Sequence, residues 1–334
     1  MYLLCGMKYY FKGKECLVEM STTTVKKRRK FLDESTIKKL KRYRTLYLFI
    51  LPPMIAVLIF HYIPFYGIIM AFQNFKPSLG FFGSKFVGFD NFIKFFNYPY
   101  FGTMIRNTLI LSLLGFTTFP LPIIFTIMLN ELKNNKLKKA SQTITYAPHF
   151  VSTVVVCSMT LLFVQQDGGL INIIIEFFGG EAKEWISYPA AFPFIYVISG
   201  IWTSLGWSTI IYMSSLASVP METVEAARID GAGRFGVIWH IYLPHLKPTI
   251  IILLIMNMGS ILSTNFEKIF LLQNPLNTEI SSVLSTYSYQ MGIIGGQYSY
   301  SAAIGLFNNV VNVILVILAN KISKSLSEDK IGLW

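Results

Sequence analysis

Side chains able to do covalent or metal chemistry are few in this chain and poorly spaced for it. The four histidines are His61, His149, His240 and His245. His240 and His245 stand five apart and flank a proline, a poor geometry for one metal ion. Cys5, Cys16 and Cys157 are too few and too scattered for a disulfide framework or a metal site, and Cys157 sits in an apolar run that reads as core. No Gly-x-x-x-x-Gly-Lys-Ser/Thr stretch occurs, so the chain has no P-loop with which to hydrolyse ATP. No Ser-His-Asp or Cys-His set can be placed at a common depth. What remains is a polar interruption at 224–248, "VEAARIDGAGRFGVIWHIYLPHLKP", with three glycines and two prolines between apolar stretches. Its chemistry is that of recognition, through charges and a shaped turn.

The elements that carry this segment are apolar. Of 334 residues, 53% are hydrophobic and 14% charged, and the mean hydropathy is +0.51. Soluble domains run at about a quarter charged, so the composition points to a membrane. The net charge of +12 does not read as a nucleic-acid groove, because the cations cluster at the ends and between apolar runs. A helix needs about 20 apolar residues to cross the hydrocarbon core. Six stretches qualify: 46–72, 108–129, 144–164, 189–216, 248–272 and 301–320. Pro52, Pro53 and Pro64 should kink the first. The apolar stretch 170–178 is too short to cross and suits an interfacial or re-entrant helix.

Charge sets the direction. "KKRRK" at 26–30, "KKLKRYR" at 38–44, "KNNKLKK" at 133–139, then Arg228, Arg234 and Lys247, then Lys321, Lys324 and Lys330 all fall on one side, while 273–300 has no Lys or Arg. The positive-inside rule places both termini and 224–248 in the cytoplasm. The expected organisation is a basic cytoplasmic segment over 1–44, a six-span domain over 45–320 with its polar loop at 217–248, and a short cytoplasmic tail over 321–334. Residues 35–44 read either as an amphipathic helix on the inner leaflet or as a solvated basic tail. Residues 1–34 are expected to be dispensable, with Met7 or Met20 as alternative starts.

Within the polar loop, Met221–Asp230 holds good helix formers after Pro220, with Glu222 and Glu225 early, where the helix dipole favours acids. Asp230-Gly231 reads as a stop, with Gly231 in the left-handed conformation. A second short helix over 234–242 should follow, before Pro244 and Pro248 lead into span five. Glu225-Ala226-Ala227, then Gly231, then Ile241-Tyr242-Leu243-Pro244 at a rigid spacing resembles the EAA loop of binding-protein-dependent ABC importer permeases. Asp230-Gly231-Ala232 fits the fuller pattern. "IRNTLILSL" at 105–113 and "GGQYSYSAAIGLFNNVVNVILVILANKIS" at 295–323, with the closing "GLW", resemble the family's sugar and polysaccharide branch. The resemblance implies an all-α membrane permease fold of six transmembrane helices with a cytoplasmic helix-turn-helix coupling loop, in the bacterial inner membrane. It also implies a second homologous permease subunit, a cytoplasmic ABC ATPase dimer that binds ATP and Mg, and an extracellular solute-binding protein. Glu225, Ala226, Ala227, Asp230, Gly231, Ala232, Leu243 and Pro244 would couple to the ATPase. No cofactor is expected in this chain, and no nucleic acid among its partners.

For the solute path, Asn257, Ser260, Thr264 and Lys268 follow a 3-4-4 spacing that puts them on one helical face. Ser301, Gly305, Asn308 and Asn312 likewise line one face of span six. Trp202, Trp207 and Tyr212 on span four are the candidate stacking surfaces for a sugar. The polar stripes suit helix–helix contacts as well. Two other readings stand beside the importer. A membrane-embedded enzyme acting on lipid-linked glycans would have only Asp167, Glu176, Glu181 and Glu184 to work with, and they lack ligand spacing. An ion-coupled secondary carrier would need ionisable groups near the midplane, and these are scarce.

Overall fold

The computed structural model describes residues 42–326 and residue 332. Expectations for 1–41, including most of the basic stretch 35–44, and for the closing residues lie outside the described residues. The chain divides into two compact units, Met1–Pro64 and Phe65–Trp334. In the first, the helix Arg44–Val57 contains Pro52 and Pro53 and passes into a π-helical turn at Leu58–Tyr62, just ahead of Pro64. A widened turn accommodates a proline that has no N–H to give and whose ring crowds the preceding carbonyls.

Among the described residues, five helices are long and apolar enough to cross a membrane: Arg44–Phe72, Phe101–Glu131, Phe192–Leu216, Arg234–Met258 and Tyr298–Ser325. The bent pair Asn135–Phe150 and Thr153–Val164, meeting at 104°, is a sixth candidate by length and composition only. The expected third stretch, 144–164, thus falls across a corner and not on one helix. Val151 and Ser152 are extended there, and the Ser152 hydroxyl caps the next helix by accepting from the Val155 amide. The capping bond satisfies an orphan N–H at the new start, so the break is a built corner.

The fifth span also departs from expectation. No separate helix over 234–242 precedes it: the helix starts at Arg234, passes through a π-turn at Ile238–Tyr242 ahead of Pro244, and ends at Met258 with Pro248 inside it. Residues 259–265 are not helical, and a short helix Phe266–Leu272 follows, capped by the Asn265 side chain. The expected single helical face through Asn257, Ser260, Thr264 and Lys268 is therefore absent. What holds the break is Asn312 on span six, whose side-chain Oδ1 accepts from the Leu262 amide at 3.2 Å while its Nδ2 donates to Ser263 Oγ at 2.9 Å.

Three apolar clusters hold the second unit. One gathers Leu111, Cys157, Val164, Phe192 and Ile269, and another Phe95, Met104, Tyr287, Tyr300 and Ile304. The third joins Ile123, Tyr212 and Leu216 of spans two and four to Val224, Val237, Tyr242 and Leu246 of the polar loop and span five. Gly206 lets span four approach the bent pair closely, since an added Cβ there would collide with the Thr145 carbonyl. The short stretch at 170–178 forms the helix Leu170–Phe177, exposing Ile171, Ile173, Ile174 and Phe177. Asn172 anchors it: its amide donates to the Gln165 and Lys183 carbonyls and its oxygen accepts from Trp185 Nε1 at 2.7 Å.

Candidate functional site

A cavity of about 440 Å³ lies among spans two, four and five. Span four presents Ser204, Trp207, Ser208 and Ile211 to it at i, i+3, i+4 and i+7, one stripe of a helix, with Tyr212 beside them and Tyr196 further along. Span two adds Ser112, Phe116 and Thr118, and the end of span five adds Asn257. Ser260, Ser263 and Thr264 of the non-helical stretch complete the wall. No lining side chain is charged. Hydroxyls and an amide interleaved with aromatic rings can hydrogen-bond and stack a hydroxylated ring. Trp207 is held in place from behind, its indole stacked on the His149 ring at 4.3 Å and 7°.

The structure thus gathers Trp207, Tyr212, Asn257, Ser260 and Thr264 from the expected path residues, and it does not gather the others. Trp202 lies off the wall, because two residues before Ser204 is more than half a turn away on the same helix. Asn308 and Asn312 are also off it; Asn312 is buried and spent on the 262–263 backbone and side chain. Asn257 keeps its place while bonding back to the Leu253 carbonyl at 2.8 Å. Sequence reasoning missed Ser204 and Ser208, although their helical spacing to Trp207 was a usable signal. Tyr196 and the span-two hydroxyls had no such signal, since only tertiary packing turns them inward.

The polar loop forms the helix Met221–Ile229, ended by Asp230. Gly231 has φ +87. Its amide donates to the Arg228 carbonyl at 3.1 Å, and the Ala232 amide donates to the Ala227 carbonyl at 2.9 Å. This paired pattern closes a helix through a left-handed residue. Val224, at 2% exposed, pins the helix to the cluster beneath, and full burial of such a side chain is worth about 1.5–3 kcal/mol. Ala227, Ala232 and Leu243 are half-buried, while Glu225, Ala226, Asp230 and Pro244 are exposed. Arg234 reaches Glu131 of span two at 4.0 Å, a contact with one well-exposed partner. Exposed around the turn are Ile229 at 86% and Phe235 at 87%, with Trp239 beyond them. Sequence reasoning left these out, although large apolar residues in a polar loop were the available signal. The turn therefore presents large exposed apolar side chains, with Glu225 exposed on the helix before it.

The family described as "Binding-protein-dependent transport system inner membrane component" matches residues 119–327. The polygalacturonan/rhamnogalacturonan transport system permease protein YteP of Bacillus subtilis (strain 168) is 43% identical over 294 residues, 88% of this chain and 92% of that one. The arabinooligosaccharides transport system permease protein AraP of the same organism is 31% identical over 284 residues, 84% and 88% of the two chains. Among solved structures, a chain of a bacterial ABC transporter involved in the import of the acidic polysaccharide alginate superposes with TM-score 0.79 at 37% identity, covering 87% of this chain and 99% of that one. The same transporter type is also known in complex with an alginate pentasaccharide-bound periplasmic protein. The chain is a multi-pass membrane permease, not an enzyme, and belongs to the family of binding-protein-dependent transport system inner membrane components.

Proposed function

We propose that this permease forms half of a heterodimeric channel that imports oligosaccharides or polysaccharide fragments by alternating access. A second homologous permease supplies the other half, and an extracellular binding protein delivers the sugar. A cytoplasmic ATPase dimer, which binds the ATP and Mg, docks on the loop 217–248. On this reading both termini are cytoplasmic, 45–320 is the channel domain, and 1–44 and 321–334 are its cytoplasmic flanks. Closure of the ATPase pair must favour one state of the channel over the other, and only a differential contact can transmit that preference. The exposed tip at Glu225, Ile229 and Phe235 supports the loop as the place of that contact.

The observation that carries the sugar reading is the uncharged wall of hydroxyls, Asn257 and Trp207 around one cavity. Its test is accessibility. With Cys5 and Cys16 replaced, an Asn257→Cys substitution in the assembled transporter should react with a water-soluble maleimide, and loaded binding protein with ATP should slow that reaction. A thiol at 257 that never reacts, or reacts indifferently to the sugar, would place this residue in helix packing.

A further inference from the structure

Behind the uncharged wall stands a buried cation. Lys268, on the short helix after the break, is 6% exposed, and among the described residues no carboxylate lies within 4.0 Å of its ammonium. Its Nζ donates to the Tyr196 carbonyl at 2.7 Å and sits 4.8 Å from the centre of the Tyr196 ring. Room for it is made on span four by Gly200, where an added Cβ would lie 3.2 Å from Nζ. Tyr196 itself lines the cavity. Its hydroxyl accepts from the Asn265 amide at 3.3 Å, and among the described residues no acceptor takes the phenolic proton. A buried charge is held only where something offsets its desolvation, and here one carbonyl and one ring face do so, with no counter-ion. That charge lies against the ring of a residue that lines the cavity, and the lining itself carries no charge.

We propose that Lys268 and Tyr196 make the cavity selective for carboxylate-bearing sugars, that is, oligosaccharides built from uronate units. The Tyr196 hydroxyl donates to the sugar carboxylate, and the Lys268 ammonium behind the ring supplies the missing counter-charge. The inference rests on the reading of the cavity as a sugar path, and it adds the charge of the sugar. Across about 10 Å at an effective dielectric constant near 20, attraction between unit charges is of the order of one tenfold step in affinity.

The test uses the assembled transporter in nanodiscs, without binding protein, and a reducing-end-labelled tetragalacturonide beside its methyl ester, which has the same rings without the charge. The native transporter should bind the free acid about tenfold more tightly than the ester. Lys268→Met, which keeps the length of the side chain, should bring the free acid to the affinity of the ester and leave the ester unchanged. Tyr196→Phe should lose part of the preference, and Lys268→Arg should retain it. A lysine that only braces span four would lower both affinities together when replaced. Equal binding of the two probes by the native transporter overturns the charge selection alone. Binding of neither overturns the sugar path as well, and a preference that survives Lys268→Met assigns the selection to another group.

Discussion

Replacing Gly231 tests whether the turn at the loop's tip is what holds the first short helix in place. At φ +87 a residue with a Cβ pays about 1–2 kcal/mol for the left-handed conformation. An added Cβ meets nothing within 4 Å, so in the free subunit the penalty is one of backbone alone. Alanine should therefore show this backbone penalty, valine at least as much because β-branching crowds its own backbone at positive φ, and asparagine, which visits this conformation with help from its own side chain, less. A change of 1–2 kcal/mol shifts a local equilibrium by about five- to thirtyfold. The groups at stake are the Ala232 amide on the Ala227 carbonyl and the Gly231 amide on the Arg228 carbonyl. Hydrogen exchange at Ala232, measured in the assembled transporter, should quicken by about that factor in Gly231→Val and by less in Gly231→Asn. Sugar uptake should fall in the same order, while membrane insertion and pairing with the second permease persist. Unchanged exchange and full uptake in Gly231→Val would refute the argument.

Other expectations follow from the same geometry. Glu225→Lys should release the ATPase or leave its hydrolysis indifferent to loaded binding protein, since losing one side of a desolvated interfacial ion pair costs about 2–5 kcal/mol; co-purification of the ATPase reads this. Phe235→Ala should weaken the same docking without altering the thermal stability of the permease, because its ring is 87% exposed. Asn257→Leu and Asn312→Leu should separate: the first lowers transport in a stable assembly, whereas the second strands the buried Leu262 amide and lowers stability by about 1–3 kcal/mol, as a melting curve would register. Gly206→Ala forces span four away from Thr145 and should cost about 1–3 kcal/mol or block assembly, seen as loss of the complex on size-exclusion chromatography.

Much of the architecture was legible because lipid imposes coarse, strong rules. A run of uncharged residues long enough to span announces itself, and the short stretch at 170–178 did become a helix too short to cross. The stop at Asp230-Gly231 was legible for a local reason: few residues other than glycine take that conformation cheaply. The 104° corner in the third span was not, because it depends on Val151 and Ser152 turning extended, which apolar composition does not encode. Span five was misplaced because Pro244 and Pro248 read as helix breakers, whereas a π-turn absorbs the first and the helix tolerates the second. The cavity was half legible. Helical spacing separates Trp207 from Trp202 only once one wall residue is known, and the burial of Lys268 against Tyr196 joins residues 72 apart in sequence. Asn312 shows the limit most clearly, since a polar residue on a lumen-like stripe was serving the backbone of a neighbouring loop.

The central claim is that a sugar passes through this chain's cavity on energy delivered at the loop 217–248. Its most direct measurement is uptake of a labelled oligogalacturonide into proteoliposomes holding this permease, its partner permease and the ATPase, with binding protein outside and ATP inside. Uptake should require ATP and loaded binding protein, be lost in Glu225→Lys and Gly231→Val, and be indifferent to proton or sodium gradients. Uptake that persists without ATP and follows an ion gradient would contradict the claim.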